Sequence, residues 1–172
     1  MQEDFLLVDG YNIIHAWEEL KELARDVSLE SARQKLMDIL SNYKGMRTTT
    51  IILVFDAYLV KGSIGSVTKY NNIYVVYTKE AETADHYIER VVTSLPKYYH
   101  VRVATGDSLE QLIIYGQGAV RMSAKELYQS VHEMQKELRK QYIENKPPKN
   151  NMLSDHLDAE SLAFLEALRR TK

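Results

Sequence analysis

Short apolar runs alternate with amphipathic stretches along most of this chain. Four runs rich in valine and isoleucine are nearly continuous, which is typical of strands that are buried on both faces of a sheet. They cover residues 5–8, 51–55, 73–77 and 101–104. Between these runs, apolar residues recur at three- and four-residue spacing, as on the buried side of a helix. Strands that alternate with helices predict an α/β fold, a three-layer α/β/α arrangement around a mostly parallel sheet of about five strands.

Capping residues indicate where the predicted helices begin. Ser28 precedes an amphipathic stretch over residues 29–43, and Thr83 precedes another over residues 84–95. A capping box opens a longer helix that runs to about Tyr142, because Ser123 is followed three residues later by Glu126. The other expected elements are a helix from Ile13 to about Ala24, a short helix over Leu109–Tyr115, a strand over Ala119–Met122 and a last helix over about Asp155–Arg169.

The length and composition fit one globular domain with a short appendage. The chain has 172 residues, of which 45% are apolar, enough for a core of ordinary size. Residues 145–151 include two prolines and no apolar side chain, so they are predicted to be a linker. We therefore expect one domain over residues 1–144, followed by a linker and helical appendage over residues 145–172.

Several classes of protein are excluded or disfavoured by composition. The chain has no cysteine, which excludes disulfides, cysteine-based zinc sites and a thiol nucleophile. The first residues resemble no secretory signal, and no apolar stretch approaches the length of a membrane span. The net charge of −2 does not indicate a particular partner. These features predict a cytoplasmic protein without a membrane partner, and a monomer is favoured.

Aspartates follow the four apolar runs. Asp9 and Asp56 come directly after the first two runs, Asp107 lies three residues beyond the last, and Asp85 falls in the first turn of the helix that begins after Thr83. If the runs are parallel neighbours, their carboxyl ends share one edge of the sheet, where open α/β sheets bind ligands. Like charges in such proximity repel, and an all-oxygen acidic pocket suits Mg²⁺ or Mn²⁺. The pattern indicates a metal-dependent phosphodiesterase.

The first of these aspartates belongs to the most informative segment, Asp9-Gly10-Tyr11-Asn12. The glycine permits a tight turn after the strand, and Asn12 then begins a helix and points back at the same edge. An amide there can hold a water or a phosphate oxygen without adding negative charge. Each residue also has a purely structural interpretation, since aspartate and asparagine are common in turns and at helix starts.

Several segments together resemble one known family. Val8-Asp9-Gly10-Tyr11-Asn12-Ile13-Ile14 resembles the signature of the NYN domains, a branch of the PIN-like nucleases. Further matches follow in the same order as in the YacP-like subfamily of bacterial NYN proteins, over about residues 5–130. They are Val54-Phe55-Asp56-Ala57, Leu59-Val60-Lys61-Gly62, Thr78-Lys79-Glu80, Glu82-Thr83-Ala84-Asp85, Ala104-Thr105-Gly106-Asp107 and Gly116-Gln117-Gly118-Ala119. One departure is Gly106, where a small hydroxyl residue is expected as often as glycine.

The resemblance implies a PIN-like fold and endoribonuclease activity that depends on Mg²⁺ or Mn²⁺. It also implies association with translating ribosomes and cleavage of messenger RNA there. The family's metal-binding roles correspond to Asp9, Asp85 and Asp107, with Asp56 and Asn12 at the rim of the site. Hydrolysis by water would leave 5′-phosphate and 3′-hydroxyl ends, without a side-chain nucleophile.

The segment over residues 58–72 is the candidate for holding RNA. It carries Lys61 and Lys69 to pair with phosphates, Tyr70 to stack on a base, and no acidic residue. Its alternative interpretation is a solvated mobile loop. An alternative function for the whole chain is a non-catalytic RNA- or ribosome-binding module that retains the PIN-like fold.

Overall fold

The computed structural model describes residues 3–57, 64–107 and 118–144. These residues form six strands and five helices. The strands are β1 (Asp4–Asp9), β2 (Thr50–Phe55), β3 (Ile64–Tyr70), β4 (Ile73–Lys79), β5 (His100–Ala104) and β6 (Val120–Met122). The helices are α1 (Gly10–Ala16), α2 (Glu18–Asp26), α3 (Leu29–Gly45), α4 (Ala84–Ser94) and α5 (Ala124–Glu144). Both types of element alternate along the chain, which confirms the predicted α/β class.

The strands form one sheet in the order β3-β4-β2-β1-β5-β6. All neighbouring pairs are parallel except β3 and β4. Strands β2, β4 and β3 lie on one side of β1, and the later strands β5 and β6 lie on its other side. The order therefore reverses at β1, and a crevice opens at the carboxyl ends of β1 and β5.

Residues 64–70 of the predicted RNA-holding segment form the antiparallel edge strand β3, so the alternative interpretation of a solvated mobile loop is wrong for these residues. Residues 64–70 pair with β4 through a two-residue turn at Asn71 and Asn72, and Asn71 takes a positive φ of 50°. Asparagine tolerates this backbone conformation better than most residues, so the pair is a suitable hairpin turn. Most side chains of β3 are exposed. An edge strand with little apolar surface does not show the continuous apolar run that identified its neighbours.

Helices cover both faces of the sheet. On one face, α4 packs through Ile88 and Val92 on Leu7, Val54 and Val76 of the central strands. Helices α1 and α3 lie against the opposite face, and α2 packs on both of them. The start of α5 joins this second layer, because Tyr43 of α3 is hydrogen-bonded to Ser130 at 2.8 Å. The α/β/α layering is as predicted.

The predicted helix from Ile13 to about Ala24 is instead two helices. Asp9 caps α1 by accepting a hydrogen bond from the Asn12 N–H, so the helix begins at Gly10. Trp17 interrupts it with an extended backbone (φ −91°, ψ 117°). The indole N–H of Trp17 donates to the carbonyl oxygen of Ala124 at 2.9 Å, and its ring is 2% exposed. This long-range hydrogen bond holds Trp17 in an extended conformation, although the helical pattern of the sequence continues on both sides of it.

The other helix starts match the capping residues in the sequence. Ser28 and Thr83 accept hydrogen bonds from the backbone N–H groups of Ser31 and His86. At the start of α5, the Ser123 hydroxyl accepts from the Glu126 N–H while the Glu126 carboxylate accepts from the Ser123 N–H. These three N-termini confirm the predicted starts of α3, α4 and α5.

The chain divides into two units, residues 1–134 and 135–172, and the second is described only as far as residue 144. The predicted domain boundary after residue 144 stays a prediction. The expected helices over residues 109–115 and 155–169 and the linker over residues 145–151 lie outside the described residues. Among the described helices, none is both long enough and apolar enough to cross a membrane.

We expect Gly10→Ala to destabilise the fold by about 1–3 kcal/mol, the usual cost of overpacking. A Cβ at residue 10 would lie 2.6 Å from Cδ1 of the buried Phe55 ring and 3.0 Å from the carbonyl oxygen of Val54. Urea denaturation measures the effect. Gly45→Ala is the matched control, because a Cβ there meets only the Asn72 amide, at 3.9 Å, and should leave stability unchanged or slightly higher. Equal stability of both variants would contradict the close packing at Gly10.

Candidate active site

Asp9 lies in the crevice at the carboxyl end of β1. Residues 5, 7 and 9 of a strand point to the same face, so Asp9 faces the layer that contains α4. Its neighbour Phe55 at the end of β2 is followed by Asp56, and β5 continues into Thr105-Gly106-Asp107. Asp85 lies in the first turn of α4. The four predicted aspartates therefore lie at one edge of the sheet. Asp9 and Asp56 are at the ends of β1 and β2, Asp107 is in the turn after β5, and Asp85 is at the start of α4.

The four carboxylates interact electrostatically. Burial raises the pKa of Asp9 to about 7, the hydrogen bond from the Asn12 N–H opposes this, and the charges of Asp85, Asp56 and Asp107 raise the pKa further. The Asp9 side chain is 8% exposed. A carboxyl group that is buried among other acids holds its proton near neutral pH, because ionisation would place another negative charge in the same crevice.

The carboxyl group of Asp85 is hydrogen-bonded to that of Asp9. Desolvation raises the pKa of Asp85, as does the charge of Asp107, while a hydrogen bond from the Asp9 carboxyl lowers it. His86, the next residue in α4, also lowers the pKa of Asp85 through its charge. Asp9 and Asp85 therefore form a hydrogen-bonded pair, and the charges of Asp56 and Asp107 raise the pKa values of both carboxyl groups.

Asn12 connects α1 to the turn that carries Asp107. Its side-chain oxygen Oδ1 accepts a hydrogen bond from the backbone N–H of Gly106. The Thr105 hydroxyl in turn accepts from the Asp107 N–H at 3.1 Å. A Cβ at residue 106 would lie 2.5 Å from the same Asn12 oxygen, so glycine allows this close approach. This contact gives a physical reason for glycine where the family resemblance also admits a small hydroxyl residue.

We expect Asn12→Ala to reduce RNA cleavage at least tenfold and to destabilise the fold by about 1 kcal/mol, since it removes the bond that holds Gly106. Asn72→Ala is the matched control. The Asn72 side chain accepts from the Ser41 hydroxyl at 2.9 Å and donates to the Ser41 carbonyl at 3.1 Å, at the opposite edge of the sheet. Cleavage rate and urea denaturation are measured for both variants. An equal loss of cleavage in both would assign the effect of Asn12 to stability alone.

The chemistry of the site fits a hard divalent cation held by few protein ligands. Among the residues that the structure describes, no three acidic or histidine side chains lie close enough together to hold a metal ion by themselves. Mg²⁺ is commonly bound by one or two carboxylates together with waters and substrate phosphates. The hydrogen-bonded pair of Asp9 and Asp85 could provide such ligands, and a cation would favour the ionised form of Asp9 against the burial and the neighbouring charges that raise its pKa.

The structure does not place the residues predicted to hold RNA beside the aspartates. Lys69 and Tyr70 pair with Tyr74 and Ile73 at the beginning of β4, whereas β4 reaches the carboxyl edge at Lys79. Six residues of strand separate the two edges by about 20 Å. The Tyr70 hydroxyl donates to Asp38 at 2.6 Å and accepts from Gln34. Tyr70 therefore joins β3 to α3, and Lys61 lies outside the described residues.

One buried cation behind the site was not singled out in the sequence. Arg33 of α3 is buried, and its guanidinium donates to the Tyr11 hydroxyl at 2.9 Å and pairs with Glu30. The Tyr11 ring packs against Phe55 with 5.1 Å between centroids, which supports the segment between Asp9 and Asn12. The sequence indicates Arg33 as a charged residue on the apolar face of α3, four residues after Leu29 and three before Leu36.

Comparisons with known proteins identify the family of this chain. The family described as the YacP-like NYN domain matches residues 6–170. The protein YacP of Bacillus subtilis (strain 168), described as uncharacterized, is 43% identical over 136 residues, which are 78% of this chain and 79% of that protein.

Two crystal structures of Rae1 (YacP) from Bacillus subtilis resemble this chain over nearly its whole length. One of them, of a mutant form, superposes with a TM-score of 0.72 and 34% sequence identity, covering 96% of this chain and 99% of the other. The second structure of Rae1 (YacP) gives a TM-score of 0.70 and 38% identity, covering 98% and 95% of the two chains. Both the sequence and the fold thus match a single group of proteins.

Proposed function

This chain belongs to the family of YacP-like NYN domains, and from that premise we propose that it is a metal-dependent endoribonuclease. Membership supports a nuclease-type activity with RNA as the substrate. Our more specific proposal is that Mg²⁺ or Mn²⁺ is required and that messenger RNA is cleaved on the translating ribosome in the cytoplasm, by a protein that acts as a monomer. The family resemblance is the support for the ribosomal context.

The observation that carries the proposal is the convergence of Asp9, Asp56, Asp85 and Asp107 at the reversal point of the sheet. This convergence raises the pKa of Asp9 to about 7 through burial and the neighbouring negative charges. Groups with strongly shifted pKa values in a crevice are typical of functional sites. Acidic side chains gathered here for structural reasons alone would destabilise the fold, because their negative charges repel one another.

Asp9 and Asp85 would hold the cation, and Asp107 would complete the site from the turn after β5. In this position the residues would hold a cation that would polarise a phosphoryl group and offset the negative charge that develops on its oxygens. Binding of a cation would require the Asp9 carboxyl to be ionised, although burial and the neighbouring acids raise its pKa to about 7. Asn12 fixes the backbone of Gly106, which positions Asp107 relative to the pair. The negative charge of Asp56, at the end of β2, adds to the rise in the pKa of Asp9.

The reaction we propose is hydrolysis of an RNA phosphodiester. The oxygen of a water molecule bonds to phosphorus, and the bond between phosphorus and the 3′ oxygen breaks. The leaving 3′ oxygen takes up one proton, and the attacking water loses one. The products carry 5′-phosphate and 3′-hydroxyl ends. The acidic crevice acts on the phosphate and the water, so no side chain needs to form a covalent intermediate.

A non-catalytic RNA- or ribosome-binding module is the second candidate. One observation favours it, namely that no three of the described acidic or histidine side chains form a complete metal cage. Such a module would bind RNA or ribosomes equally well with and without metal. An enzyme that uses the crevice would instead need the cation for turnover.

A cleavage assay with purified protein separates the two candidates. We would compare naked messenger RNA with the same RNA under active translation, each with Mn²⁺ and with EDTA. The enzyme is expected to produce 5′-phosphate ends with Mn²⁺ only, and cleavage restricted to translated RNA would place its specificity in ribosome docking. Asp85→Asn should abolish cleavage, whereas Glu89→Gln removes the same charge from α4 one turn away and should not. Cleavage that survives both EDTA and Asp85→Asn would refute the proposal.

A further inference from the structure

The segment that carries Asp9 and Asn12 is anchored in the helical layer opposite α4. Its anchor is Tyr11, whose hydroxyl accepts a hydrogen bond from the guanidinium of Arg33 at 2.9 Å. We propose that Arg33 is a positioning residue for RNA cleavage, which acts through Tyr11 to hold the Asp9 carboxyl and the Asn12 amide in place. This inference rests on the proposed function, because it assigns Arg33 a part in that reaction.

Tyr11 is the side chain that connects this segment to the layer of α3. Asp9 faces the layer of α4, Gly10 has no side chain, and the Asn12 side chain is bound to the turn after β5. The Tyr11 ring is buried and packs on Phe55 with 5.1 Å between centroids. A ring contact alone permits small shifts, whereas a directional hydrogen bond at the hydroxyl fixes one end of the ring. The position of the segment therefore depends on the partner of that hydroxyl.

Arg33 is itself held in one geometry. It lies in α3, whose start is capped by the Ser28 hydroxyl, and its guanidinium also pairs with Glu30, three residues earlier. The Arg33 side chain is 10% exposed, whereas that of Glu30 is 68% exposed. The guanidinium thus extends from the surface of α3 to Tyr11 in the interior. Its planar arrangement of donors keeps both bonds in a fixed relation, which a flexible ammonium group would not do.

The burial of Arg33 has a cost in stability that an apolar side chain would avoid. The Nε of Arg33 is buried and has no hydrogen-bond partner among the described residues. An unsatisfied buried donor destabilises a fold, and a well-packed apolar residue in place of a buried charge is often neutral or stabilising. Stability alone therefore does not account for an arginine at this position. Its bond to Tyr11, between Asp9 and Asn12, indicates a role in the site.

A pair of substitutions separates positioning from stability. Tyr11→Phe removes the hydroxyl and keeps the ring, so kcat for a defined RNA in Mn²⁺ should fall roughly tenfold while KM stays within about twofold of wild type. Arg33→Met should have the same effect on kcat. The double variant Tyr11→Phe/Arg33→Met contains neither the buried charge nor the unpaired hydroxyl, so its urea midpoint should return to the wild-type value or above. Its kcat should remain as low as that of Tyr11→Phe, because nothing fixes the ring.

Tyr43→Phe is the matched control. The Tyr43 hydroxyl, on the same helix as Arg33, is hydrogen-bonded to Ser130 at 2.8 Å, and the side chain is buried. Its removal should lower the urea midpoint and leave kcat unchanged. The amide cross-peak of Gly106 in nuclear magnetic resonance spectra reports on the site without cleavage, through its bond to Asn12. This cross-peak should shift in Tyr11→Phe and in the double variant, but not in Tyr43→Phe.

Three results would overturn the positioning role of Arg33. They are a wild-type kcat in the double variant, an equal loss of kcat in Tyr43→Phe and Tyr11→Phe, and an unchanged Gly106 cross-peak in Tyr11→Phe. Failure of the wild-type protein to cleave any RNA would instead refute the proposed nuclease. In that case the Gly106 cross-peak shows whether Arg33 and Tyr11 still hold the crevice in place, so the two failures are distinguished.

Discussion

Asp9→Asn should abolish RNA cleavage, with a loss of at least roughly 100-fold, while the protein remains folded. Asp9 lies at the centre of the crevice, contacts Asp85 directly and is influenced by all three other aspartates. Asparagine keeps an oxygen that can accept from the Asn12 N–H, so the N-cap of α1 is preserved. It loses the negative charge that would hold a cation. Cleavage of a defined RNA in Mn²⁺, with product ends mapped, measures the effect.

Asp38→Asn is the matched control for this substitution. Asp38 lies on α3 and accepts a hydrogen bond from Tyr70 at the far side of β3. Its replacement removes one carboxylate from the same protein without changing the crevice. We expect the control to cleave RNA at the wild-type rate. Retained cleavage by purified Asp9→Asn protein, with contaminating nuclease excluded, would remove the aspartates from the mechanism.

The stability of the protein should depend on pH in a way that identifies Asp9. The pKa of this carboxyl is about 7 in the folded chain and near 3.8 in the unfolded one. Between these values the folded state binds more protons, so the contribution of Asp9 to stability is greatest at low pH and decreases as the pH rises from about 4 to about 7. The shift corresponds to an upper limit of roughly 4 kcal/mol.

Comparison with Asp9→Asn isolates this contribution, since asparagine does not titrate. The two proteins should have similar free energies of unfolding near pH 4, and the variant should be the more stable above pH 7. Mn²⁺ at about 100 times its dissociation constant should then stabilise wild-type protein at pH 8 by about 2.7 kcal/mol and leave the variant unchanged. Urea denaturation across this pH range measures both effects. Parallel pH profiles for the two proteins would show that Asp9 ionises normally in the fold.

The sequence allowed much of the fold to be predicted because its strongest signals are local. The apolar runs before Asp9 and Asp56 mark central strands, where burial on both faces leaves no polar position. Caps at Ser28 and Thr83 likewise act within one turn of their helices. Edge strand β3 has little buried surface, so its pattern was too weak to be recognised. The break at Trp17 depends on a hydrogen bond to Ala124, 107 residues away in the chain.

The aspartates of the site could be predicted because parallel strands deliver the residues after them to one edge. The contacts among them could not be predicted in this way. The hydrogen bond between Asp9 and Asp85 and the one from Gly106 to Asn12 depend on how helices and turns are oriented in space. The distant position of Tyr70 followed from the antiparallel direction of β3, which carries the chain away from the crevice.

A crystal soaked in Mn²⁺ and measured at the manganese absorption edge shows whether the crevice binds a cation. Anomalous scattering locates the ion without assumptions about its ligands. We expect a peak in the crevice, within coordination distance of carboxylate oxygens of Asp9 and Asp85, and no such peak in Asp9→Asn crystals. A manganese peak only at other positions, or one that persists at the crevice in Asp9→Asn, would show that these aspartates do not form a cation site.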